Sequence, residues 1–186
     1  MRERFKLGIF IGEDLQGYYK FPDEARRYVV QLEEELEEVQ NLKNRALHLG
    51  TIGVVHLHLR SLDKAEEYLK ESIKLILDLN LGNVFKAQQS IRLANVYQWK
   101  KAFQKANGLF MDTILLCKND DSCQGYLDFA LQHYGKCLFD QSLYSEALEQ
   151  FEEALRLRQS KNSPDLINST EFAISVTKAR LENPDL

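Results

Sequence analysis

Apolar positions recur along this chain with helical spacing, and they recur in blocks. Ala65, Leu69, Ile73 and Ile76 form an i, i+4, i+8, i+11 stripe, with Glu66, Glu67, Lys70, Glu71 and Lys74 on the opposite side. That is the pattern of a helix with one buried face. Leu148, Phe151, Leu155 and Leu157 follow the same logic later in the chain. Glu66 stands four residues before Lys70, the stabilising order for a helical ion pair. Turn signals fall between the stripes, at Ser61-Leu62-Asp63 and at Asp140-Gln141-Ser142.

The blocks align on one another. Leu49-x-x-Ile52-Gly53-x-x-His56 is followed by Ala65-x-x-x-Leu69-x-x-Ser72; Ser90-x-x-Leu93-Ala94-x-x-Tyr97 by Ala106-x-x-x-Phe110-x-x-Thr113; and Leu131-x-x-Tyr134-Gly135-x-x-Leu138 by Ala147-x-x-x-Phe151-x-x-Ala154. Gly53, Ala94 and Gly135 step by 41 residues, and so do Ala65, Ala106 and Ala147. A fixed period in this range marks a stacked array whose units bury their apolar faces only against neighbours. A glycine inside a helix costs about 0.5–1 kcal/mol relative to alanine. Gly53 and Gly135 therefore predict a close helix–helix approach, with the three alanines facing them and Leu69, Phe110 and Phe151 filling the space beyond.

At these residues the chain resembles the tetratricopeptide (TPR) repeat family: a small residue in the first helix, an alanine opening the second, and an aromatic or leucine four residues on. The resemblance covers 42–159. The period is longer than the family's usual length of about 34 residues, which implies longer helices, as in the extended repeats of G-protein-regulatory scaffolds and bacterial Rap-like regulators. His56 and Ser72 depart from the pattern, standing where an aromatic and an alanine are commoner. The implied fold is all-α: a right-handed α-solenoid of antiparallel helix hairpins forming one domain over 1–186. Within it lie three regular repeats, a degenerate first repeat over 1–40 and a capping helix over 164–182. In the degenerate repeat Leu7-Gly8-x-x-Ile11 is expected as the first helix and Ala25-x-x-x-Val29-x-x-Leu32 as the second. The turn between them, Gly12 to Pro22, reads as an insertion carrying Tyr18, Tyr19 and Phe21.

Composition narrows the function. The chain has 186 residues, 44% hydrophobic and 28% charged, with a net charge of −4. This balance fits one soluble domain and carries no basic footprint for nucleic acid or a membrane surface. No apolar run approaches the roughly 18–20 residues that cross a bilayer, and the N-terminus lacks the apolar stretch of a signal peptide. Cys117, Cys123 and Cys137 are too few and too irregular for a disulfide framework, which points to the cytoplasm.

Candidate chemistry is sparse. His56 and His58 are two residues apart on one helix and diverge by about 200°, so with His48 they read as packing or surface residues, and no metal or cofactor is expected. Cys117 and Cys123 lack C-x-x-C spacing and read as free thiols. Asn119 to Ser122 lacks the ligand pattern of a calcium loop and reads as a turn. Glu33-Glu34-Glu35-Leu36-Glu37-Glu38 reads as a solvated helix face. No phosphate-binding, dinucleotide, nucleophile-elbow or zinc-protease motif occurs, and no nucleophile–base pair is visible. The expectation is a protein without catalytic activity.

A binding groove is the remaining candidate. In TPR proteins the first helices line the concave surface, and the resemblance places there Val54 and His58, then Gln88, Ile91, Asn95, Gln98 and Trp99, then Phe129, Gln132, Lys136, Phe139 and Asp140. Asn and Gln amides can pair both the N–H and the C=O of a peptide, and Trp99 and Phe139 offer anchor surface. The chaperone-tail clamp of some TPR proteins needs several Lys, Arg and Asn together; Asn95, Lys136 and Arg92 fall short of it. The expected ligand is a peptide or protein segment. Two alternatives stand beside it. One is self-association through Tyr18, Tyr19 and Phe21 or through the tail at Pro184 and Leu186; the other is a fragment of a Rap-like peptide-sensing regulator.

Overall fold

The computed structural model describes Phe5 and residues 7–183. Pro184 and Leu186, expected to contribute to self-association, lie outside the described residues. The order of elements is β1 (Ile9–Ile11), β2 (Gly17–Tyr19), α1 (Pro22–Glu38), α2 (Leu42–His58), α3 (Leu62–Asp78), α4 (Asn83–Trp99), α5 (Phe103–Asn119), α6 (Leu127–Asp140), α7 (Tyr144–Ser160) and α8 (Pro164–Glu182). A single 3-10 turn, Gln124–Tyr126, leads into α6. The helices pack in successive antiparallel pairs. The chain divides into two compact units, Met1–Val96 and Tyr97–Leu186, with the boundary inside α4.

The 41-residue period extends to the backbone of the turns. Arg60, Lys101 and Ser142 hold φ of 63°, 58° and 61°, and Asn80 and Asn162 repeat the geometry between hairpins at 48° and 51°. Each closes a helix end in the same way. Ser61 N donates to His56 O (3.0 Å), Ala102 N to Tyr97 O (2.8 Å) and Leu143 N to Leu138 O (3.0 Å), each spanning five residues. This left-handed C-terminal motif satisfies carbonyls that the helix leaves unpaired. It favours glycine, yet none of the five positions is glycine. Lys101→Gly is therefore expected to stabilise unit 2 by about 0.5–1 kcal/mol, read as a rise in the urea midpoint at unchanged slope.

In unit 1, Ala25, Val29, Leu32 and Leu36 of α1 pack against Leu49, Ile52 and Val55 of α2. A Cβ at Gly53 would lie 2.6 Å from Leu69 Cγ and 3.3 Å from the Ala65 carbonyl oxygen, so α2 and α3 do meet at this glycine. Glu33 ties the three helices. His56 Nε2 and Tyr68 OH donate to its Oε1 at 3.0 and 2.9 Å, Lys64 Nζ stands 3.6 Å away, and the His56 ring lies parallel to Tyr68. One member of the acidic run thus turns inward, while Glu34, Glu37 and Glu38 remain exposed. Burial would raise the Glu33 pKa, but the hydrogen bonds from His56 and Tyr68 and the Lys64 charge outweigh it and hold it below 4.5. A depressed folded-state pKa contributes stability above the unfolded value and loses it as pH falls through the folded one. Glu33→Gln is expected to lower stability at pH 7 and to flatten the acid limb below pH 4.5, measured by urea unfolding across pH.

The start of the chain corrects one expectation. Leu7 to Ile11 is not a helix: Ile9–Ile11 is a strand paired antiparallel with Gly17–Tyr19. A three-residue Ile-Phe-Ile run between Gly8 and Gly12 offers β-branched and aromatic side chains and glycine at both ends, which suits a strand and cannot nucleate a helix. The turn is set by Asp14, whose Oδ1 accepts from Gln16 N at 3.0 Å. Its Oδ2 accepts from Tyr18 OH. Leu15 at φ 58° folds its side chain into the interior, 1% exposed. The leading element is accordingly a β-hairpin and one helix, α1, rather than a stretched helix pair.

In unit 2, α5 packs on α6, α6 on α7, and α7 on α8. Gly135 repeats the close approach, with Phe151 Cε1 2.6 Å from where a Cβ would stand. The closing helix is held by charge as well as apolar contact. Arg158, 2% exposed, donates from Nε to Asp128 Oδ2 at 2.9 Å. Its Nη1 donates to Thr170 Oγ1 at 2.7 Å and to Leu166 O at 3.2 Å. Lys161 Nζ bonds the other oxygen of Asp128.

Candidate functional site

The residues expected to line a groove all lie on the first helices of the hairpins, and none is exposed. In unit 1 the end of α2 is already occupied by the hairpin. His58 Nδ1–H donates to Gly17 O at 3.2 Å, and its ring meets Tyr19 edge-on at 5.6 Å. Tyr19 is half-buried there, and burial pushes its hydroxyl pKa up to about 12. Arg60 covers the Tyr18 ring at 4.5 Å. Of the three aromatics expected to reach another chain, Tyr18 and Tyr19 fold back on their own unit, and Phe21 stays exposed. On α4, Ile91 and Asn95 are buried and Gln88 is half-buried.

Sequence reasoning selected Gln88 and passed over Gln89. Gln89 is fully buried, packs on Gly50, and accepts from Arg92 Nη1 at 3.1 Å. Its Nε2 has no hydrogen-bond partner among the described residues. The available signal was Gly50 itself, a second glycine in α2 that needed something large above it.

Unit 2 carries buried amides of its own. Gln98, at the end of α4, donates from Nε2 to Asp140 Oδ2 at 2.8 Å, while its Oε1 is buried and unbonded among the described residues. Gln132, 3% exposed, has neither Oε1 nor Nε2 bonded among the described residues. Eight residues separate Gln132 from Asp140 on α6, about 12 Å along the axis. Trp99 and Lys136 are half-buried on the same pair of helices. The two phenylalanines serve packing instead. Phe129 takes the Arg158 guanidinium on its ring at 5.4 Å, and Phe139 meets Tyr144 edge-on at 5.3 Å.

Unit 2 thus offers buried amides with donors and acceptors unused among the described residues, on helices that also carry Asp140, Lys136 and Trp99. A buried amide without a partner costs about 1–3 kcal/mol, and native chains keep few such groups. A glutamine can match the N–H and the C=O of a peptide unit together. Over 12 Å an extended segment presents about four residues.

Other groups are less suited to reaction. Cys117 and Cys137 are fully buried, and burial pushes both thiols up to about 12, away from the thiolate needed for nucleophilic attack. Among the described residues no three His, Cys, Asp or Glu side chains gather as a metal site. Among them, too, no helix is long and apolar enough to cross a membrane.

No family model matches the sequence, and no curated protein matches it. Among solved structures the chain is similar to the apo form of RapI, with a TM-score of 0.70 at 15% identity. The match covers 88% of this chain and 59% of that one, so this chain spans less than two thirds of the length of RapI. Together with the turn motif repeated every 41 residues, this gives the fold: a TPR-like α-solenoid of successive antiparallel helix hairpins.

Proposed function

We propose that this chain is a non-catalytic interaction module that holds an extended segment of a peptide or protein partner against the first helices of unit 2. The observation that carries the reading is Gln132, a buried amide with no hydrogen-bond partner among the described residues. Gln98 offers a second acceptor, its Oε1, that is unbonded among the described residues. Asp140 and Lys136 place a negative and a positive charge on the same helix, and Trp99 supplies anchor surface. Ordering a flexible ligand takes about 2–5 kcal/mol from the gross interaction, so binding through this short stretch is weak and gains from multivalency.

The test begins with random peptides displayed on phage and selected on the immobilised chain, followed by titration of the selected peptide. The reading expects a linear consensus whose affinity falls with Gln132→Leu and Trp99→Ala and is unchanged by Glu71→Gln on α3. Failure to select any consensus, or a consensus insensitive to both unit 2 substitutions, would refute it. A second reading, a fragment of a RapI-like peptide-sensing regulator acting with an output domain elsewhere, is supported by the structural likeness over 88% of the chain. It uses the same face and adds an effect of the peptide on a third component.

A further inference from the structure

Among the described residues the N-terminal hairpin has a free edge. β1 and β2 form a two-stranded sheet, pairing Ile9 with Tyr19, Phe10 with Tyr18 and Ile11 with Gly17. Lys20 N donates to Gly8 O at 2.8 Å and Gly12 N to Gln16 O at 3.0 Å. In an antiparallel ladder bonded and non-bonded pairs alternate, so Phe10 with Tyr18 is the bonded pair. The N–H and C=O of Ile9 and Ile11 then point outward, four polar groups on an open edge. The side chains beside them are apolar and open to water: Ile9 45%, Phe10 48% and Ile11 37% exposed. Such an edge is a template for another strand unless a charge, proline or bulge blocks it, and β1 contains none of these.

We propose that β1 pairs antiparallel with β1 of a second copy of this chain, about a two-fold axis at Phe10. Ile9 then bonds Ile11 of the other copy and Ile11 bonds its Ile9, so all four outward groups of each strand are used. Registers centred on Ile9 or Ile11 leave half of them unpaired. Phe10 meets its own equivalent at the non-bonded position, where side chains come closest.

Charge selects the same arrangement. The Lys20 side chain lies across Gly8, its Cδ 3.3 Å from where a Cβ would stand, and the Asp14 carboxylate lies across Gly12, with Oδ1 at 2.7 Å. Gly8 and Gly12 share a face with Phe10, because strand side chains alternate. In the proposed register Gly8 of one copy stands opposite Gly12 of the other. Lys20 then comes beside Asp14 of the second copy on one face, and symmetry makes the contact twice. A parallel pairing sets like charge beside like. So short an edge buries less than the roughly 1,200–2,000 Å² of a standard interface, so the association is weak and concentration-dependent. It is independent of peptide binding in unit 2, and either reading can fail alone.

The experiment is sedimentation of the full chain from about 10 μM to 1 mM, with amide hydrogen exchange at both ends of the range. The proposal expects mass to rise toward a dimer and the Ile9 and Ile11 amides to become protected as it does, while Phe10 is protected throughout. Lys20→Glu is expected to weaken the dimer roughly tenfold or more through like-charge contact, and Lys20→Arg to leave it intact. Phe10→Cys with oxidised glutathione is expected to give a disulfide-linked dimer, since its two-fold partner lies within bridging distance and the native thiols are buried. Ile9→Cys alone, facing Ile11, is expected not to link. A constant monomer mass with no Phe10→Cys cross-link would overturn the proposal. So would a dimer in which the Ile9 and Ile11 amides exchange as in the monomer.

Discussion

Replacing Arg158 with alanine is expected to cost about 3–5 kcal/mol, the largest loss for any single site in unit 2. The guanidinium is 2% exposed and Asp128 is fully buried, so the substitution strands a carboxylate in a site that water does not reach. Lys161 remains on one oxygen of Asp128, but the Nε contact to the other is lost. The bonds to Thr170 and to the Leu166 carbonyl go too, and with them the charge over the Phe129 ring. Both Leu166 and Thr170 belong to α8, so the loss falls first on the closing helix. Hydrogen exchange should show α8 opening before α5 and α6, and urea unfolding should show the full penalty. Replacing both members, Arg158→Met with Asp128→Leu, is expected to recover most of the loss, because the expense lies in a buried carboxylate left with one oxygen unbonded rather than in the absence of an ion pair. If the double variant is as unstable as Arg158→Ala, the role of the pair has been misassigned.

The second large effect has opposite signs on stability and on binding. Gln132→Leu removes an amide that is buried without partners among the described residues and puts an apolar group of similar size in its place. Stability is expected to rise by about 1–3 kcal/mol, the desolvation penalty of the unmade bonds. Affinity for a selected peptide is expected to fall by about tenfold or more, since a site built to hydrogen-bond rejects a replacement that cannot. A residue retained for packing alone would lose or gain both together. The two measurements on one variant, a thermal melt and a peptide titration, therefore separate a binding amide from a structural one.

The fold was legible wherever one residue type had one physical job. Gly53 and Gly135 announced the close approach of paired helices, and Leu69 and Phe151 do lie over them. Pro164 marked the start of the closing helix, which runs to Glu182. The hairpin was not legible, because Leu7-Gly8-x-x-Ile11 is too short for a period to distinguish helix from strand and the repeats that follow it are helical. Arg158 and Asp128 were passed over for a different reason. Charged residues on amphipathic helices are ordinarily solvated, and only the arrival of α8 over α7 buries this pair. The candidate site was legible as a stripe of positions, since repeat numbering fixes which residues share a helix face. Which of them keep unused hydrogen bonds was not, because that depends on neighbours. Phe129 looked like groove and Phe139 like an anchor, and they are claimed by Arg158 and Tyr144. His58 looked like groove and holds the hairpin.

The central claim is that the buried glutamine amides of unit 2 bond to a partner's backbone. The most direct measurement is the side-chain NH₂ resonances of Gln132 and Gln98 by NMR, recorded while a selected peptide is titrated to saturation. The account predicts that the Gln132 NH₂ signals shift with the binding isotherm, with Gln98 shifting alongside. Saturation by the peptide with the Gln132 signals unmoved would contradict it.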